Sequence, residues 1–178
     1  MEEMEDPTER LNETIEAAEE KKERWTMHVA LSTAIIAVLA AIAGLYGNHH
    51  ANEAMLDQIK SSDQWAYYQS KSIKAEIAAS TSQILSAMDK PLPKESEDKK
   101  KKYEDDKAEI KATAEEAEKS SETHMHKHVV LSRAVTIFQI AVALSAVAIL
   151  TRKKLVWYGS MLLAGAGCVF LVLGFLAT

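Results

Sequence analysis

Apolar positions concentrate in three blocks, residues 27–47, 129–151 and 155–177, and charged positions fall almost wholly outside them. Each block is 21 to 23 residues long, and at ~1.5 Å of rise per helical residue that length crosses the ~30 Å hydrocarbon core of a bilayer. The pattern predicts three transmembrane helices. The first follows 26 residues carrying ten acids and four bases, and its apolar run exceeds the usual length of a signal-peptide core, so it reads as a retained span.

Between the first two blocks lies an excursion, residues 48–128, that is almost entirely helix-permissive. Its one interruption is Lys90-Pro91-Leu92-Pro93-Lys94, where two prolines remove backbone donors and bias their neighbours away from helix, so a turn is predicted near 90–94. On the first arm Met55, Ile59, Ser62, Ala66, Gln69, Ile73, Ile77, Ser80, Ile84 and Met88 recur at four and three with a slip at Ile77. On the second arm Tyr103, Asp106 or Lys107, Ile110, Ala114, Ala117, Ser121, His124 and His128 do the same. Both read as coiled-coil seams, the second Ala-rich and closely packed. No strong stop separates either arm from its neighbouring block, so two long helices are expected to run through. The predicted fold class is an all-α membrane protein: three transmembrane helices with a long antiparallel helical, coiled-coil hairpin between the first and second spans.

The flanks are simpler. Residues 1–26 begin with a disordered-looking MEEMEDP, and then Leu11, Ile15, Ala18, Lys22 and Trp25 trace a narrow amphipathic stripe, read as an acidic cytoplasmic helix leading into the first span. Residues 152–154 form a basic loop. Ala34, Ala37, Ala40, Ala41, Gly44 and Gly47 in the first span and Ser160, Ala164, Gly167, Cys168 and Gly174 in the third supply small faces for close helix approach.

Averages hide this design. At 47% hydrophobic, 26% charged and net charge −5, with a mean hydropathy of −0.15, the chain resembles a small soluble domain. Yet of 21 basic and 26 acidic side chains only Arg133 falls within the three blocks, and such segregation belongs to membrane proteins. The lone Cys168 permits no intrachain disulfide. The acidic balance, with no basic face carrying interleaved aromatics, excludes nucleic acid as the expected partner. Lys21, Lys22 and Arg24 abut the first span and Arg152, Lys153 and Lys154 join the last two, which places both on the cytoplasmic side and the hairpin in the periplasm or outside the cell. Lys119, Lys127 and Arg133 around the second span weigh the other way.

Two segments hold the candidate chemistry. In helical register Asp63, Tyr67 and Lys71 share one stripe, and Trp65, Tyr68 and Ser72 a second. Asp63, Trp65, Tyr67, Tyr68, Gln69 and Lys71 form a polar-aromatic belt suited to a helix buried on several sides, and so to an oligomer or partner interface. Five of six histidines fall where the arms meet the spans. His124 and His128 share a face at metal-chelating spacing, and His49, His50 and Glu53 lie at the corresponding end of the first arm, so the group reads as interface packing, a metal site or a proton sensor. Arg133 lies about one turn inside its span and, with Arg152, Lys153 and Lys154, reads as a membrane anchor. The lysines of 99–102 are balanced by neighbouring acids and read as a solvated tip.

The stretch Asn48-His49-His50-Ala51-Asn52-Glu53-Ala54, followed by Ser62-Asp63-Gln64-Trp65-Ala66-Tyr67-Tyr68-Gln69-Ser70-Lys71-Ser72 and, later, TRKKLVW at 151–157, resembles the bacterial membrane-protein family known as domain of unknown function 4337. The resemblance takes in nearly the full length, from the acidic start to the last span. It implies a topology and a bacterial inner membrane, and no activity. The histidine-rich Thr123-His124-Met125-His126-Lys127-His128 departs from the family pattern. The expected function is that of an oligomeric scaffold, with lipid bilayer, further copies of the chain and an envelope protein as partners, and with no catalysis and no cofactor. The alternatives are an oligomeric channel or transport-accessory subunit, and a pH- or metal-responsive sensor.

Overall fold

The computed structural model describes residues 7–91 and 94–177, and among these it is all-helical, without strands. Three helices follow in order: α1 (Pro7–Ala87), α2 (Lys94–Thr151) and α3 (Lys154–Leu176). Pro7 begins α1, a position where the missing N–H costs nothing and the fixed φ favours the helix. Neither Gly44 nor Gly47 interrupts it. Each helix contains an 18-residue window long and apolar enough to cross a membrane, by length and composition. Of the disordered-looking MEEMEDP, residues 1–6 lie outside the described residues and Pro7 opens α1 instead, and Leu92 and Pro93 of the proline turn also lie outside the described residues.

α1 stops before the prolines. Lys90 donates its backbone N–H to Leu85 at 3.0 Å and Asp89 donates to Ser86 at 3.1 Å, with Asp89 at φ 55. This pair of bonds around a left-handed residue is a Schellman ending, here with Asp where Gly is usual. Arg152, also at φ 55, follows α2 and donates its backbone N–H to Ile149 at 3.3 Å. Lys154, expected in the loop, already belongs to α3.

The described residues divide into two units, one comprising the chain up to Gly47 together with 129–177, the other comprising 48–128. In the first, α2 and α3 meet at Ser145 with Ser160, Phe138 with Gly167, and Leu131 with Gly174. These pairs lie seven residues apart on each helix and run in opposite order, the spacing of a heptad seam. Glycine decides how near the helices come: a Cβ at Gly167 would sit 2.6 Å from the Phe138 ring, and one at Gly174 2.6 Å from Leu131. Ser160 donates its hydroxyl to the Trp157 carbonyl at 2.8 Å, which leaves Ser145 as donor in the buried 2.9 Å Ser145–Ser160 bond. α1 joins through Ile36 and Ala43 in the shared core and through Ser32, which accepts from Trp157 Nε1 at 3.2 Å.

In the second unit the arms, residues 48–87 of α1 and 94–128 of α2, touch through small residues. Ile110, Ala114, Ala117 and Ser121 are buried on the second arm, as its seam predicted. The first arm differs from expectation. Ala54, Ser61 and Ala75 are buried there, whereas Met55, Ile59, Ile73, Ile77, Ile84 and Met88 are each more than half exposed. The contacting face is rotated by one residue, ~100° around the helix. The physical reason is fit: against Ala114 and Ala117, which let the helices approach closely, small residues pack where Ile and Met would hold the arms apart.

Candidate functional site

A ladder of polar contacts crosses between the two arms within the second unit. At one end His50 Nδ1 lies 3.0 Å from His124 Nδ1, with ring centroids 5.1 Å apart. One turn on, Ser121 donates to the Ala54 carbonyl at 2.8 Å, and Ser120 donates to Asp57 Oδ2 at 2.6 Å. Further along, Lys71 Nζ donates to Asp106 Oδ2 at 2.6 Å. The four rungs are centred along the chain between Ala87 and Asp89, at the end of α1 and ahead of the prolines.

The Lys71 contact is a clasp. Helical geometry brings Tyr67 one turn below Lys71, and the ammonium lies 5.2 Å from the Tyr67 ring centroid and 5.4 Å from that of Tyr103 on the other arm. Lys107 mirrors it, 5.6 Å from the Tyr68 ring, while Trp65 meets Tyr68 edge to face at 5.6 Å. The hydrogen bond to Asp106, and next that to Tyr67, hold Lys71 above the ordinary lysine pKa, so its charge is fixed. A cation seated between two phenols and a carboxylate ties the arms together at this level and orients both rings.

The belt read from the sequence is therefore split. Lys71, Tyr67, Tyr68 and Trp65 come together, while Asp63 and Gln69 stay exposed. The residues that complete the clasp, Tyr103, Asp106 and Lys107, were legible only as seam positions or as part of a charge run. Their signal is pairwise, opposite charge at equal distance from the turn.

The histidine group is split too. His49 lies beside His50, with ring centroids 5.5 Å apart, and His50 meets His124. Among the described residues no group of three or more His, Cys, Asp or Glu side chains is placed to hold a metal ion. Burial first, then the nearby His124, Lys127 and His49, push the His50 pKa below its ordinary value, with Glu53 acting against them. Arg133, Arg152, Lys153 and Lys154 are exposed.

Residues 25–177 match the family described as Domain of unknown function (DUF4337), and the chain belongs to it. The first 24 residues, which the resemblance took in, lie outside the match. No curated protein and no solved structure matches the chain.

Proposed function

We propose that this family member is an oligomeric scaffold of a bacterial inner membrane. In this reading residues 27–47, 129–151 and 155–177 cross the bilayer, and residues 48–128 form an antiparallel coiled-coil hairpin on its outer side that docks further copies or an envelope protein. The observation that carries the reading is the Lys71–Asp106 clasp between Tyr67 and Tyr103. It uses the most distinctive motif of the chain to fix one arm against the other, which suits a rigid strut presenting a surface. Three apolar helices support the membrane placement. So do the bases around α3: Lys153 and Lys154 stand at its N-terminus, where a positive charge opposes the helix dipole, and an interfacial role accounts for a placement that helix stability does not. The test is the mass of the full chain in lipid nanodiscs. More than one copy per particle is expected, and a single copy overturns the reading.

A second reading, a pH-responsive element, is favoured by the His50–His124 contact alone. Its test is protease cutting of the hairpin at pH 5.5 and pH 8; equal rates would exclude it.

A further inference from the structure

The first arm carries an apolar stripe that none of the described residues of the second unit covers. Met55, Ile59, Ile73, Ile77, Ile84 and Met88 are 53–63% exposed although they recur on one helical face. Between them stand Ser62, Ala66, Gln69 and Ser80, all exposed and small enough, or flexible enough, for another helix to lie close. A periodic stripe of large apolar side chains in water marks an interaction surface.

We propose that the stripe is where a second copy of this chain packs, first arm against first arm, in parallel. The inference rests on the reading above, since it takes its partner from self-association and its parallel sense from copies inserted the same way in one bilayer. Three observations select this occupant. The first is charge. Residues 54–88 hold six charged side chains, Asp57, Lys60, Asp63, Lys71, Lys74 and Glu76, with none from Ile77 to Met88, whereas residues 94–128 hold 20. Lys71 is already engaged with Asp106. A neutral face offers nothing to a charged partner and matches another neutral face; the same stripe in a second copy is one, and the charged second arms are left facing water. The second is periodicity. Intervals of four and three run from Met55 to Met88 with a slip at Ile77, and in a parallel pair both copies carry that slip at the same level, so the two stripes still meet side chain by side chain. The third is size. From Met55 to Met88 the stripe runs ~50 Å along a helix ~10 Å wide, and the resulting ~500 Å² of projected contact is of the same order as the ~800 Å² per partner that stable interfaces bury. The clasp contributes indirectly, because it holds the small-residue face of the first arm against the second arm and so turns the stripe outward.

Single cysteines at Ile77 or Ile84, introduced into the full chain with Cys168→Ala and reconstituted in nanodiscs, test this. Mild oxidation is expected to convert most of each to a covalent homodimer, and at least fivefold less of a Glu116→Cys control on the exposed side of the second arm. Adding Ile73→Glu with Ile77→Glu to the Ile84→Cys chain is expected to cut cross-linking at least fivefold while circular dichroism stays helical. Particles of several copies whose stripe cysteines cross-link no better than the control overturn this inference and leave the scaffold reading standing. Single-copy particles overturn both. Cross-linking to a different protein, or cross-linking that survives the two glutamates, overturns the inference.

Discussion

His50 and His124 face each other Nδ1 to Nδ1 at 3.0 Å, from opposite arms. One nitrogen must donate and the other accept, so at most one of the two carries a proton at that position. The charged groups around His50 are His49 and Glu53 on its own arm and His124 and Lys127 on the other, and burial acts first to depress its pKa. A histidine whose pKa is lowered by folding binds fewer protons folded than unfolded. Its stabilising contribution is therefore present above the ordinary histidine value of ~6.5 and is lost as pH falls below it. Cleavage within residues 48–128 by a protease of pH-independent activity is expected to be faster at pH 5.5 than at pH 8. His50→Gln should flatten that dependence, and an unchanged ratio in the variant would remove His50 as its origin.

Gly167 and Gly165 lie two residues apart on α3 and should respond oppositely to alanine. A Cβ at Gly167 meets the Phe138 ring at 2.6, 2.8 and 3.1 Å, and Phe138 is fully buried, so the ring has nowhere to move. A Cβ at Gly165 meets nothing within 4 Å. Gly167→Ala is expected to cost about 1–3 kcal/mol by overpacking, while Gly165→Ala is neutral or slightly stabilising. Thermal unfolding in detergent, followed by circular dichroism, separates the two; equal midpoints would mean that α2 and α3 do not approach as closely as Phe138 and Gly167 do here.

What the sequence made legible was whatever rests on the type of one residue. Three apolar blocks foretold three helices, and Ile110, Ala114, Ala117 and Ser121 foretold the buried face of the second arm. The first arm was misread because it carries two periodic stripes one residue apart. Hydrophobicity favours Met55, Ile59 and Ile73, but the face that packs is Ala54, Ser61 and Ala75. Size complementarity to Ala114 and polar pairing across the arms decide between the stripes, and both are properties of two segments at once. Register has the same cause: the prolines at 91 and 93 announce a turn, but the reversal is centred between Ala87 and Asp89, and that centre brings Lys71 to Asp106.

The clasp makes a prediction through charge reversal. Lys71→Asp alone sets two carboxylates side by side in the space of a 2.6 Å ion pair and is expected to lower the unfolding midpoint and hasten protease cutting between the arms. Lys71→Asp with Asp106→Lys restores the pair, and should recover much of the loss, though not all, because the lysine then leaves from the other arm and meets Tyr67 and Tyr103 differently. The wild-type contribution has a defined alkaline limit. Folding raises the Lys71 pKa, so its contribution is complete below the ordinary lysine value of ~10.4 and is lost as pH rises through the higher folded value. No recovery in the double variant would mean that the pair does not tie the arms together.

Asp89 gives the most local test of how the arms are joined. Its φ of 55 is left-handed, a conformation that glycine adopts freely, Asp and Asn tolerate, and β-branched residues resist. The bonds from Lys90 to Leu85 and from Asp89 to Ser86 both depend on it. Asp89→Gly is expected to stabilise the folded chain by about 0.5–1 kcal/mol, relief of the left-handed strain outweighing the added freedom of the unfolded chain. Asp89→Val is expected to destabilise it by about 1–2 kcal/mol. The comparison is informative because neither change touches a cross-arm contact: the same rank order in thermal midpoint and in cross-linking of paired cysteines at Asp57 and Ser120 would tie the turn to the register, whereas a Val variant as stable as wild type would mean that α1 ends some other way and that the register is held by the arms alone.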